Sequence, residues 1–270
     1  ASETCAFDLL GAEHQRDVRP GEIVRIDQNG LQSHNFSNTN CNGCARCIFE
    51  QIYFARPDSK VFGQTVHNVR ARLGERLAQD NPVDADAVIS VPHSGDPAAL
   101  GYARGSGLPL DQGFISNRYI GRTFITPPEE NRSESVEIKL NVVGDVVNGK
   151  RLVVVDDSIV RGTTTKTRLK MLRDMGAEEL HMRISAPPIK YPCYFGVDFP
   201  NPDELVARNR SIEEIRDFLG VDSLAYQNLD GLLASVSGAK QDYCLACFTG
   251  EYPVSVNENM DRLGLEKDHT

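Results

Sequence analysis

Residues 153–165 read Val-Val-Val-Asp-Asp-Ser-Ile-Val-Arg-Gly-Thr-Thr-Thr, and few backbone paths accommodate that order. Three β-branched residues make a short strand buried on both faces. Asp156 and Asp157 stand where that strand ends. A turn follows with Gly162 and three small hydroxyl residues. Leu169, Leu172 and Met175 then recur at three-residue spacing, which predicts a helix stopped by Gly176. A strand, a tight turn and a helix N-terminus aim free backbone N–H groups at one point, and such a point suits a phosphate. The two acids cannot bind that phosphate; they suit sugar hydroxyls, or a cation riding on further phosphates. A phosphorylated ribose meets both demands. An ordinary βα unit with a polar loop has a similar outline, but two adjacent acids at a strand end are costly unless used.

The rest of the chain reads as strands alternating with helices. Glu22-Ile23-Val24-Arg25-Ile26, opened by Pro20-Gly21 and closed by Asp27-Gln28-Asn29-Gly30, has a hairpin-like pattern. Residues 33–46 are rich in Ser, Asn and Cys and read as a linker. Val66, Val69, Leu73 and Leu77 follow at helical spacing. Ala87–Val91 is a short apolar strand, and Pro97 suits the first turn of another helix. Residues 127–137 are polar and acidic without periodicity, as in a loop. After the strand at Arg151–Val155 and its helix comes a strand near His181–Ser185. Ser211 and Glu214 form a capping box for a helix carrying Ile212, Ile215 and Phe218 and ended by Gly220. The alternation predicts an α/β fold, a mainly parallel sheet with helices on both faces.

Four segments in order carry a family resemblance. The loop at 153–165 resembles that of the type I phosphoribosyltransferases, which bind 5-phosphoribosyl-1-diphosphate (PRPP). NRYIGRTFITP (117–127), VVVDDSIVRGTTT (153–165), APPIKYPCYFG (186–196) and CLACFTGEYPV (244–254) together resemble the glutamine amidophosphoribosyltransferase family. The likeness runs from about residue 1 to residue 254. It implies transfer of ammonia, drawn from glutamine in the full-length family enzyme, to C1 of PRPP, with release of pyrophosphate at the first step of purine synthesis. It also implies a domain plan: 1–40 as the end of a glutaminase domain with a linker and 41–254 as the phosphoribosyltransferase domain. Residues 255–270, beyond the likeness, are polar and read as a frayed tail. Most of the glutaminase half is expected to be absent, since Cys5 lies in a strand-like stretch and does not match that half's N-terminal nucleophile.

Site residues follow from the same resemblance. Asp156 and Asp157 would hold the ribose hydroxyls and contact Mg²⁺, with Ser94 of VPHSG (91–95) near the metal and diphosphate. The family usually has an acid before that serine, and here it is His93. Ser158, Ile159, Val160, Arg161, Gly162, Thr163 and Thr164 would hold the 5′-phosphate. Residues 118–139, with Arg118, Tyr119, Arg122 and Lys139, would close over PRPP and exclude water that competes with ammonia; Arg122 and Lys139 join the two acids as catalytic candidates. Purine nucleotides as feedback inhibitors and a homotetramer are implied as well.

Seven cysteines, Cys5, Cys41, Cys44, Cys47, Cys193, Cys244 and Cys247, include three C-x-x-C spacings, which favour metal or cluster ligation over disulfides. Spacing alone selects Cys41, Cys44, Cys244 and Cys247 as a zinc site. The resemblance selects Cys47, Cys193, Cys244 and Cys247 as ligands of a [4Fe–4S] cluster, and gives Cys41 and Cys44 no role.

A net charge of −9 argues against nucleic acid as the main partner. Positive charge for a polyanionic substrate must then be local, and Arg118, Arg122, Arg132, Lys139 and Arg161 could supply it. No apolar run approaches the roughly 20 residues of a membrane span. The first residues do not have the form of a signal peptide, so the expected location is the cytoplasm. A base-salvage phosphoribosyltransferase would share the diacid loop but not the cysteines or the 244–254 segment. A non-catalytic PRPP-binding regulator acting on DNA would want a basic module, and none is evident.

Overall fold

The computed structural model describes residues 1–36, 45–117, 140–197, 199 and 202–256. Helix α1 (Cys5–Leu10) precedes an antiparallel hairpin of β1 (Glu22–Asp27) and β2 (Gly30–Asn35). Cys5 is therefore helical, contrary to the strand-like reading. Its segment closes its hydrogen bonds locally and ends at Gly11, whose φ of 61° lets its N–H reach the Phe7 carbonyl. The hairpin forms as expected, but β2 runs through Ser33 to Asn35, so the linker starts later than its composition suggests. Residues 37–44 lie outside the described residues. Hydrogen bonds tie the N-terminus to the body, among them the Lys60 N–H donating to Thr4 Oγ1 at 2.7 Å and the Arg56 N–H and Ser59 hydroxyl donating to the Glu3 carboxylate at 2.7 and 2.8 Å.

Beyond these, β3 (Arg46–Cys47) and α2 (Val66–Asp80) lead to β4 (Ala87–Ser90), α3 (Asp96–Ser106) and β5 (Leu110–Asp111). Then come β6 (Arg151–Asp156), α4 (Thr163–Asp174), β7 (Glu179–Ile184), α5 (Ile212–Leu219) and β8 (Ser223–Tyr226). The last elements are α6 (Leu229–Ser235), β9 (Tyr243–Cys244) and α7 (Ala246–Thr249). The central sheet has five strands in the order β8-β7-β6-β4-β5, and every pairing in it is parallel.

Strand β6 shows why its sequence is an unbroken apolar run. Leu152 and Val154 face a core with Leu169 and Leu172 of α4 and Ile215 and Leu219 of α5. Val153 and Val155 face the other side, where Ala98, Ala99 and Tyr102 of α3 cover them. Helices on both faces leave no solvated side to carry polar residues. On the α3 side the helices approach closely because glycine lines the crossing. A Cβ on Gly101 would stand 1.9 Å from the Ala71 carbonyl oxygen, and one on Gly74 would stand 1.8 Å from that of Ala98.

Two apolar stripes shift relative to the sequence reading. Helix α4 ends at Asp174, and Met175 is 41% exposed. The Ala177 N–H turns back to the Leu172 carbonyl at 3.1 Å, so buried Ala177 closes that end of the core instead. On α5 the capping box is formed by Ser211 and Glu214 and Gly220 takes φ 72°, as expected, but Ile215 and Leu219 are the buried positions and Ile212 is exposed. No helix among the described residues is long and apolar enough to cross a membrane.

Candidate active site

The strand order reverses between β4 and β6. From β4 the chain moves to β5 at one edge, and from β6 it moves through β7 to β8 at the other. Loops leaving the carboxyl ends of two such strands part in opposite directions and leave a crevice. Here the loop after β4 carries Ser94, and β6 ends on Asp156 and Asp157. Gly95 lets the two approach, since a Cβ there would stand 2.6 Å from the Val155 carbonyl oxygen. The Ser94 hydroxyl donates to Asp156 Oδ1 at 3.4 Å, and the Asp157 N–H donates to the same oxygen at 2.9 Å. The Ser158 hydroxyl donates to Asp157 Oδ2.

Both acids are almost fully buried, 3% exposed at Asp156 and 5% at Asp157. Burial first, and then the neighbouring Asp157 charge, push the Asp156 carboxyl well above the usual carboxylate range; Arg168 opposes them. A buried, mutually repelling diacid has no packing rationale and stores demand for hydroxyl donors or a cation.

Below the acids the chain turns through Ser158–Thr164 into α4. Gly162 is the N-cap at φ 79°, and no side chain caps the helix. The Lys166 N–H, bonded to the Gly162 carbonyl at 2.9 Å, is the first to join the helix ladder, so the N–H groups ahead of it remain for an anion. Acids and helix end line one cleft of about 1010 Å³, part of whose wall is aromatic: Phe49, Tyr53 and Phe54.

Most of the described candidates meet in this cleft: Ser94, Asp156, Asp157, Ser158, Val160, Arg161, Gly162, Thr163 and Thr164. Ile159 turns its side chain into the core and offers only backbone. Arg161 is directed at Glu204, its Nε 2.5 Å from the carboxylate. His93 is exposed, with Nδ1 3.3 Å from Asp96. Arg118, Tyr119, Arg122, Arg132 and Lys139 lie outside the described residues. Sequence reasoning passed over Arg168, which lines the cleft with Nη1 3.7 Å from Asp156 Oδ2. The aromatic wall was missed too, since Tyr53 and Phe54 come from a π-helical turn at Glu50–Phe54, which leaves no periodic trace, and Phe49 stands at its N-cap.

A second constellation lies beside the cleft. Parallel pairing of β3 with β9 sets Cys47 opposite Cys244, and α7 brings Cys247. The 190–193 loop is strapped down by the Lys190 and Tyr191 N–H groups donating to the Cys247 carbonyl and by the Tyr252 hydroxyl donating to that of Pro192. Cys47, Cys193, Cys244 and Cys247 thereby line one small cavity, and they are thiols, not disulfides. Burial pushes the Cys47 thiol up to about 11; it also raises Cys247, with the charges of the other three cysteines adding to the effect. Among the described residues no three His, Cys, Asp or Glu side chains could together hold a metal ion. Cys41 and Cys44 lie outside the described residues.

The parallel sheet, its switch point and the strand–turn–helix bearing the diacid define a type I phosphoribosyltransferase fold. No family model matches the chain. The amidophosphoribosyltransferase of Synechococcus elongatus is 47% identical over 262 residues, which cover 97% of this chain and 53% of that protein. That of Archaeoglobus fulgidus is 51% identical over 257 residues, 94% of this chain and 56% of the relative. Among solved structures, a glutamine phosphoribosylpyrophosphate (PRPP) amidotransferase from B. subtilis complexed with ADP and GMP has a TM-score of 0.86 and 46% identity, covering 96% of this chain and 57% of that one. The chain belongs to the amidophosphoribosyltransferase family, and it spans about half the length of the curated relatives it matches.

Proposed function

We propose that this chain displaces pyrophosphate from C1 of PRPP with ammonia, giving 5-phosphoribosylamine, as a phosphoribosyl-transfer unit of purine synthesis. The observation that carries the reading is the buried Asp156–Asp157 pair sharing a cleft with the uncapped N-terminus of α4. The N–H groups and hydroxyls from Ser158 to Thr164 hold the 5′-phosphate, and the acids accept hydrogen bonds from the 2′- and 3′-hydroxyls. As the C1–O bond breaks, its electron pair leaves on pyrophosphate, the ammonia nitrogen bonds C1, and the nitrogen sheds a proton. The aromatic wall keeps water from the cation-like carbon. Arg118, Tyr119, Arg122 and Lys139 belong to this reading through the family resemblance.

Two groups fit residues present here. Asp156, Asp157 and Ser94 are hard oxygen donors, too few to cage an ion alone, which is the habit of Mg²⁺ shared with substrate phosphates. When bound, the ion supplies charge to the departing diphosphate. Cys47, Cys193, Cys244 and Cys247 are soft donors around one cavity and suit a [4Fe–4S] cluster of structural role. Feedback by purine nucleotides, a homo-oligomeric state and a cytoplasmic location complete the proposal; the B. subtilis protein was solved with ADP and GMP, which supports the first.

The test is pyrophosphate release from PRPP with Mg²⁺ and one nucleophile at a time. Release with ammonia, and none with adenine, hypoxanthine or orotate, is expected. Release that requires a base, or none with ammonia, overturns the reading.

A further inference from the structure

Arg168 lies on α4 beside the diacid, and its setting is unusual for a structural arginine. Its Nε is buried without a hydrogen-bond partner. Its Nη1 stands 3.7 Å from Asp156 Oδ2, a charge contact beyond hydrogen-bond length. Oδ1 of the same carboxylate is already engaged by the Asp157 N–H at 2.9 Å and the Ser94 hydroxyl at 3.4 Å. An arginine built to lock a carboxylate in place forks onto it with two short bonds. This one faces the cleft and lends charge without locking anything.

That placement has two consequences. Two buried adjacent carboxylates repel each other, and a fixed cation relieves the repulsion while the cleft is empty. The same cation repels a bare divalent ion approaching the acids. An ion arriving with a diphosphate brings compensating negative charge, so the repulsion falls. We propose that Arg168 is a positioning residue that disfavours divalent-ion binding to the free diacid and so makes ion entry depend on PRPP. The inference rests on the reading of Asp156 and Asp157 as the ion site.

The probe is Mn²⁺, titrated into the protein with and without PRPP and followed by the electron paramagnetic resonance of the free ion. Without PRPP, Arg168→Met is expected to lower the Mn²⁺ dissociation constant by roughly tenfold, because one opposing charge is gone. Arg168→Lys, which keeps the charge, should stay near the wild-type value. PRPP should tighten Mn²⁺ binding more in the wild type than in Arg168→Met. Unchanged or weaker binding in Arg168→Met, equal shifts in the Met and Lys variants, or equal gains from PRPP overturn the inference. Asp157→Asn separates the two readings. If it abolishes Mn²⁺ binding while Arg168→Met has no effect, only the role of Arg168 falls. If binding ignores Asp157→Asn, the diacid reading falls with it.

Discussion

At Gly162 the backbone takes φ 79°, and an added Cβ would stand 3.1 Å from the Phe218 ring. Left-handed backbone costs an L-residue about 1–2 kcal/mol, so Gly162→Ala should lower Tm by roughly 2–8 °C. It should also raise KM for PRPP, since the same turn sets the N–H groups of the proposed phosphate loop. A Tm scan with steady-state kinetics checks both, and an unaltered KM would detach the turn from binding. This loop was legible in the sequence because each residue type in it has narrow chemical uses: β-branched strand, paired acids, glycine, hydroxyls. Arg168 was not, because an arginine on an amphipathic helix is usually solvated. Nor was the Arg161–Glu204 pair, whose partners are 43 residues apart and share no local spacing.

Among the elements, the contact of α2 with α3 depends on atoms that are missing. Gly101→Ala would drive a methyl group into the Ala71 backbone, and a destabilisation of at least about 2 kcal/mol is expected in denaturant unfolding. Wild-type stability would mean that the helices separate freely. The pairing of β7 with the edge strand β8 carries a pH dependence. His181 of β7 has Nδ1 3.0 Å from Ser223 Oγ of β8 and Nε2 2.9 Å from Glu179. Burial holds its pKa below the ordinary histidine value, outweighing Glu179. The unfolded chain therefore takes up this proton at higher pH than the folded one, so stability contributed here is present at neutral pH and lost as pH falls through the ordinary histidine range. Denaturation midpoints from pH 7 to 5 should fall more steeply for the wild type than for His181→Gln. Strands and helices with strong periodicity were readable beforehand. The α1 segment was misread because six residues are too few to separate a helical turn from a strand, and β8 and α6 were passed over because their apolar runs are short.

For the whole molecule, four thiols at positions 47, 193, 244 and 247 meet at one cavity from segments far apart in the sequence. Spacing pointed to a different set, and only the family resemblance picked these four. Anaerobically isolated protein should hold roughly four iron and four sulfide per chain, and Cys193→Ser should lower thermal stability while bleaching the colour. Stoichiometric zinc that persists in Cys193→Ser would contradict the cluster. A net charge of −9 on a chain proposed to bind a polyanion makes the same point at this scale. Binding must come from backbone dipoles, a bound cation and a few arginines, not from the overall field. The diacid is thus the centre of the proposed chemistry. The most direct test is the rate of ammonia-dependent pyrophosphate release from PRPP by Asp156→Asn and Asp157→Asn beside the wild type, with circular dichroism to verify folding. Losses of at least about 100-fold in both variants, with the fold intact, are predicted. Wild-type rates in both would contradict it.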